Sequence, residues 1–173
     1  MTSVYAVPER SLAVALKQHV TGIDHIAVAV HDLESAVSWY SSTLGFSVIE
    51  QRATRGLNTS MTSAVMACGS AIVVLVQGGE PDSQVQQFID RFGPGVQHVA
   101  FSVDDLDKAL ESVRAAGGES DTGILQDVGI KQTFLRRDAG SGVRVELIER
   151  RGGDFTDASV EGLFRTMEAR GIY

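Results

Sequence analysis

Apolar and polar positions divide the chain into short β segments and amphipathic helices, and the order of these elements occurs twice. "DHIAVAV" (24–30) reads as a buried strand, short, β-branched and bounded by polar residues. "DLESAVSWYSSTLG" (32–45) follows as a helix, with Asp32 as its N-cap and Gly45 as its stop. "FSVIEQR", "MTSAVMACG" and "AIVVLVQGG" supply three further strands. "SQVQQFIDRFG" is a helix with Val85, Phe88, Ile89 and Phe92 on one face. The order then restarts with the strand "QHVAFSV", the helix "DLDKALESVRAAGG", and the strands "KQTFLRRD" and "VRVELIERR".

The two copies align on their histidines. "GIDHIAVAVHDLESAV" (22–37) and "GVQHVAFSVDDLDKAL" (95–110) share His, Ala, Val, Asp, Leu and Ala in register. The chain therefore reads as a duplicated βαβββ module, too long per copy for a solenoid unit. Neither copy can bury its sheet face alone. The expected fold is α+β, with the paired modules packed side by side as a half-open β-barrel. The division is residues 1–21 as a lead-in, with "PERSLAVALKQHV" as a short helix, then 22–93 and 94–150 as the first and second modules. Residues 151–173 hold an added C-terminal helix. There Val160, Leu163, Phe164 and Met167 fall at helical spacing behind a Thr156 or Asp157 cap. That helix covers a sheet edge or closes a cleft.

Strand alternation puts His25, Ala27 and Ala29 on one face, and Ile26, Val28 and Val30 on the other, beneath the helix. Small neighbours leave room around the His25 ring. His98 occupies the equivalent place in the second copy, so the two rings converge on the concave side. Glu146 lies in the middle of the apolar strand "VRVELIER", where a carboxylate is costly without a cation or strong donors. A lone buried histidine is more often hydrogen-bonded than ligating, but three such residues at matched places form a set. Two histidines and a carboxylate are the facial ligand set of non-haem Fe(II) enzymes, with Co, Ni, Mn or Zn as alternatives. The repeat offset of 73 makes Val73 the counterpart of Glu146. A valine cannot ligate, so three protein ligands are expected and one side of the ion stays open. His19 and His31 have no such context and read as surface or helix-end residues.

Charge and composition narrow the partners. The 173 residues carry a formal net charge of −7, which argues against nucleic acid as a partner, since phosphate binding needs a basic face. One cysteine, Cys68, excludes an intramolecular disulfide and fits a reducing compartment. No apolar run approaches the roughly 20 residues that span a bilayer. The N-terminus lacks the basic region and apolar core of a signal peptide. The expectation is a cytoplasmic protein, with no membrane partner, assembling as a homodimer.

With the paired modules, the "DH" and "QH" strands and the late "VELIER", residues 22–150 resemble the vicinal oxygen chelate superfamily. "GIDHIAVAVHDLESAVSWYSSTLGF" is similar to the opening of methylmalonyl-CoA epimerases. Those carry a fourth ligand where this chain has "AIVVLV" and a carboxylate base where it has "NTSMTSAVM"; both are missing here. "QVQQFIDRFGPGVQHVAFSVDDL", "KQTF", "TSAVM" and "RVELIERRGGDFTDASVEGLF" resemble the catalytic C-terminal half of 4-hydroxyphenylpyruvate dioxygenases. That likeness implies iron on His25, His98 and Glu146, with no catalytic residue beyond the metal ligands. It implies a substrate pocket of Ser63, Gln77, Gln84, Gln97, Gln132, Phe134, Phe155, Val160 and Phe164. The C-terminal helix becomes a lid. The family's large N-terminal half is absent. It usually has Asn at the place of Gln77 and Phe at that of Val160, so the substrate can differ. The implied activity is an Fe(II)-dependent oxygenase that uses O2 on an aryl α-keto acid, through keto acid chelation, decarboxylation and hydroxylation. The alternatives are a metal-dependent epimerase, isomerase or lyase, and a non-catalytic small-molecule-binding protein.

Overall fold

A computed structural model describes residues 16–172. Most of the expected lead-in helix, up to residue 15, lies outside the described residues, and Leu16–Gln18 forms one 3-10 turn. The elements follow as β1 (Val20–Ala29), α1 (Leu33–Leu44), β2 (Ser47–Arg55), β3 (Ser60–Cys68), β4 (Ala71–Gly78) and α2 (Gln84–Phe92). The second set is β5 (Gly95–Val103), α3 (Leu106–Ala115), β6 (Leu125–Asp127), β7 (Ile130–Phe134), β8 (Arg144–Arg150) and α4 (Asp157–Ala169). The fold is α+β, with the eight strands in one curled half-barrel sheet ordered β2-β3-β4-β1-β5-β8-β7-β6.

The duplication is visible in the pairing. β1 runs parallel to β4 and β5 parallel to β8, while β1 and β5 meet antiparallel at the centre. β6, with only three residues and no apolar alternation of its own, is the strand the periodicity does not reveal. Asp32 and Asp105 cap α1 and α3 in the same way, each carboxylate accepting from a backbone N–H three residues on (2.6 and 3.1 Å). Gly45 ends α1 at φ 75°, a left-handed conformation that costs glycine least.

Burial separates the two faces of the sheet. On the outer face Val28, Val30, Val73 and Leu75 pack against Leu33, Ala36, Val37 and Tyr40 of α1. Val103, Val145 and Leu147 pack in the same way with Leu106, Ala109 and Val113 of α3. On the inner face Ala29 and Val76 meet Val85, Phe88 and Ile89 of α2, which fills one end of the concavity.

α4 closes the other side. Thr156 is its N-cap, in a capping box with Ser159, and it touches both β2 and β6, the two edges of the sheet. At its far end Glu168 accepts from Asn58 N (3.1 Å), Thr59 N (2.8 Å), Thr59 Oγ1 (2.6 Å) and Leu57 N. None of the described helices is long and apolar enough to cross a membrane.

Candidate metal centre

His25 and His98 come from the two central strands, and Glu146 from β8 beside β5. Their ligand atoms converge. His25 Nε2 lies 3.3 Å from His98 Nε2, and Glu146 Oε2 lies 3.5 Å from the first and 3.3 Å from the second. Glu146 is 1 % exposed, and its Oε1 has no hydrogen-bond partner.

The residues before each histidine explain how the rings are aimed. Between the pairs Ile23↔Phe101 and His25↔Ala100, β1 advances two residues and β5 one, so Asp24 is a bulge. Between Ala27↔His98 and Val28↔Val96 the reverse holds, and Gln97 is a bulge. A regular strand would turn these side chains to the opposite face; the bulges swing them beside their histidines. Asp24 Oδ1 accepts from His25 Nδ1 at 2.8 Å, and Gln97 Oε1 accepts from His98 Nδ1. Both protons then sit on Nδ1, so both Nε2 atoms present lone pairs to each other and to the Glu146 carboxylate. The rings offer no proton to one another, and only a proton held by Glu146 relieves the crowding of three acceptors within 3.5 Å. A divalent cation resolves that conflict, and the donor set of two imidazoles and one carboxylate suits a first-row metal. A metal fits these residues.

The surroundings adjust each group. Burial pushes the Glu146 carboxyl up to about 7. Burial pushes His98 down to about 3, aided by the charges of Arg144 and Arg137, which keeps the imidazole neutral and free to ligate. Burial alone would raise Asp24, but hydrogen bonds from His25 and Arg150 outweigh it and hold the carboxyl well below its usual range. Arg150 reaches that carboxylate through Nε at 2.7 Å and Nη2 at 3.0 Å.

The site opens into a cavity of ≈ 140 Å³. Eight residues that the resemblance assigned to a pocket line it: Ser63, Gln84, Gln97, Gln132, Phe134, Phe155, Val160 and Phe164. The Phe134 ring stands edge-on to His98, with centroids 5.0 Å apart, and Phe155 edge-on to His25 at 6.2 Å. Two of the amides are already engaged. Gln97 holds His98, and Gln84 Nε2 donates to the Phe164 carbonyl of α4 at 2.8 Å. Gln132 is 3 % exposed, and its Oε1 has no partner.

Two expectations need correction. Ile26 pairs with Val73, 47 residues later, whereas Val99 pairs with Val145, 46 residues later. The first module is one residue longer between these strands. Ala27, the counterpart of Ala100, therefore faces Val74, and Val74 rather than Val73 stands where Glu146 stands in the second module. Val74 lines the cavity and Val73 packs under α1. A one-residue slip exchanges the faces of a strand. Gln77, which the resemblance placed in the pocket, points away from the cavity, and its Oε1 accepts from Leu33 N at 2.6 Å, at the start of α1. Reading along the strands also missed Glu50 and Arg52, which line the cavity from β2 and pair with each other. The signal was present in "FSVIEQR", where positions 50 and 52 share a face.

Comparison with known proteins agrees with this geometry. Residues 22–147 match the Glyoxalase/Bleomycin resistance protein/Dioxygenase superfamily. The chain belongs to that superfamily. It is 29 % identical over 132 residues to the uncharacterized protein YqjC of Bacillus subtilis, covering 75 % of this chain and 93 % of that one. It is 28 % identical over 102 residues to 4-hydroxyphenylpyruvate dioxygenase of Legionella pneumophila. That match covers 56 % of this chain and 29 % of the dioxygenase, so the chain spans under a third of that relative's length. Among solved structures, methylmalonyl-CoA epimerase from Mycobacterium tuberculosis superposes with TM-score 0.65 at 28 % identity, covering 76 % of this chain and 89 % of that one. A mutant 4-hydroxymandelate synthase from Streptomyces coelicolor superposes with TM-score 0.75, covering 86 % and 54 %; at 21 % identity this speaks for the fold alone.

Two outcomes follow. A ligating carboxylate must be ionised, and Glu146 holds its proton up to about pH 7 in the metal-free protein. Protons therefore compete as pH falls: affinity for a divalent ion should be level above 7 and drop about tenfold per pH unit below it. Calorimetric titration from pH 5.5 to 8 checks this, and a flat profile would contradict it. Val74→Glu should place a second carboxylate on the ion, as a fourth protein ligand, and tighten binding on the order of tenfold. The same titration at pH 7.5 reads that change.

Proposed function

We propose that the protein is an Fe(II)-dependent oxygenase acting on an aryl α-keto acid, of the 4-hydroxyphenylpyruvate dioxygenase type. The observation that carries this reading is a set of three ligands whose fourth place is taken by Val74, opening on a cavity walled by aromatic and amide side chains. His25, His98 and Glu146 would hold the ion on one side. Iron bound there would activate O2, while the keto acid supplies the four electrons, two on losing CO2 and two on being hydroxylated.

The chain's own groups do the rest. Val74 and Ala27 leave space for a ligand beside the ion. Phe134 and Phe155 flank that space from opposite histidines and suit an aryl ring. Gln132, the amide with an unpartnered oxygen, accepts from a ring hydroxyl. Val160, Leu163, Phe164 and Met167 of α4 form the apolar cover that excludes water.

One observation favours a second reading. Glu50 lines the cavity, and a carboxylate there could take a proton from carbon, as an epimerase requires. Arg52 pairs with it. The 28 % identity to a methylmalonyl-CoA epimerase over most of that chain supports the same alternative.

Oxygen uptake decides between them. Protein loaded anaerobically with Fe(II) should consume O2 on addition of 4-hydroxyphenylpyruvate or phenylpyruvate, and His98→Ala should abolish the uptake. Metal-loaded protein that consumes no O2 with either keto acid would favour the epimerase reading. Glu50-dependent deuterium exchange into an acyl-CoA thioester would then be expected.

A further inference from the structure

Arg150 contacts both the candidate metal centre and the entry to α4. It ends β8 on the face that carries Glu146, and its side chain is about two-thirds buried. Nε and Nη2 form a fork on the two Asp24 oxygens, and Asp24 Oδ1 is the atom that accepts from His25 Nδ1. Nη1 reaches Asp154 Oδ1 at 3.2 Å and the Gly153 carbonyl at 3.5 Å. The guanidinium also lies over the Phe155 ring, 4.8 Å from its centroid, and that ring meets His25 edge-on. Thr156, the next residue, caps α4. One side chain thus touches the carboxylate that orients a ligand imidazole and three consecutive residues leading into the lid.

The segment is held so that movement passes through it. Gly153 packs directly on Gly129, where a Cβ would collide with the Val128 carbonyl and the Gly129 backbone. Arg151 N donates to the Gly129 carbonyl at 2.8 Å. The start of the segment is therefore fixed on β7's leading turn. The Phe155 carbonyl accepts from Arg52 Nη2 across the cavity. Thr156 Oγ1 donates to Asp127 Oδ2 at 2.6 Å, so residues 154–156 link Arg150 to the first turn of α4 through named contacts.

We propose that Arg150 is a positioning residue that couples an occupied metal site to the docking of α4; this rests on the metal reading of His25, His98 and Glu146. The relay is already formed: Asp24 Oδ1 accepts from His25 Nδ1, and both Asp24 oxygens meet the Arg150 fork. An ion on His25 Nε2 would stiffen the ring, and through it Asp24 and the fork. A fixed guanidinium fixes Phe155 and the start of the lid. Coupling is reciprocal, so a docked lid also tightens the ion. The role needs arginine: a lysine can pair with Asp24, but it cannot bridge both oxygens, reach Asp154 and cover a ring at once.

The test uses Co(II) as a visible probe and hydrogen–deuterium exchange of the α4 peptide in the full chain. In the unsubstituted protein, saturating Co(II) should slow α4 exchange by about fivefold or more, the low end of typical site-to-site coupling. Arg150→Lys should keep Co(II) binding within about 10-fold and lose the slowing. Phe155→Leu, which leaves the Asp24 fork intact, should also bind Co(II) and lose it. Equal slowing in both variants, or Co(II) binding without slowing in the unsubstituted protein, overturns the coupling alone. Failure of the unsubstituted protein to bind Co(II) overturns the coupling together with the metal reading.

Discussion

Two imidazole lone pairs and a carboxyl oxygen, held within 3.5 Å of one another with no ring proton between them, are the constraint around which this chain is organised. Each would be better hydrated or apart. They are forced together because β1 and β5 pair at the sheet centre and β8 lies beside β5. They are aimed at one point because a bulge before each histidine turns Asp24 and Gln97 inward to hold the outer nitrogens. The arrangement is unfavourable for the protein alone and favourable for the protein with a cation. Burying a polar cluster without its partner is otherwise a net loss.

The duplication builds the centre and a single break in it keeps the centre open. Matching strands bring one histidine each, but the position that holds Glu146 in the second module holds Val74 in the first. An ion at this point would have one apolar flank, and the cavity lies on that flank. α4 has no counterpart in the first module. It spans both edge strands, which shields exposed sheet edges and roofs the cavity with the same side chains.

Much of this was legible in the sequence. The repeat, the capping aspartates, the inward face of His25 and the isolated carboxylate at Glu146 all followed from period, turn chemistry and the cost of a buried charge. What stayed hidden was any property set by non-local register. The first module is one residue longer between its paired strands, so counting by a constant offset placed Val73 where Val74 stands; Gln77, placed in the pocket by the resemblance, turned out to lie on the other face. The bulges at Asp24 and Gln97 depend on cross-strand pairing, although "DH" and "QH" at matched positions were their trace. Arg150 and Arg52 drew no reading, because nothing local places an arginine at the end of β8 against an aspartate 126 residues earlier.

The central claim is that His25, His98 and Glu146 are the three protein ligands of one divalent ion. Anomalous diffraction at the iron edge, from crystals grown anaerobically with Fe(II), tests it most directly. The account predicts one anomalous peak about 2 Å from His25 Nε2, His98 Nε2 and a Glu146 oxygen, with no other protein atom in reach. No peak at that point, or a peak whose ligands omit Glu146, would contradict it.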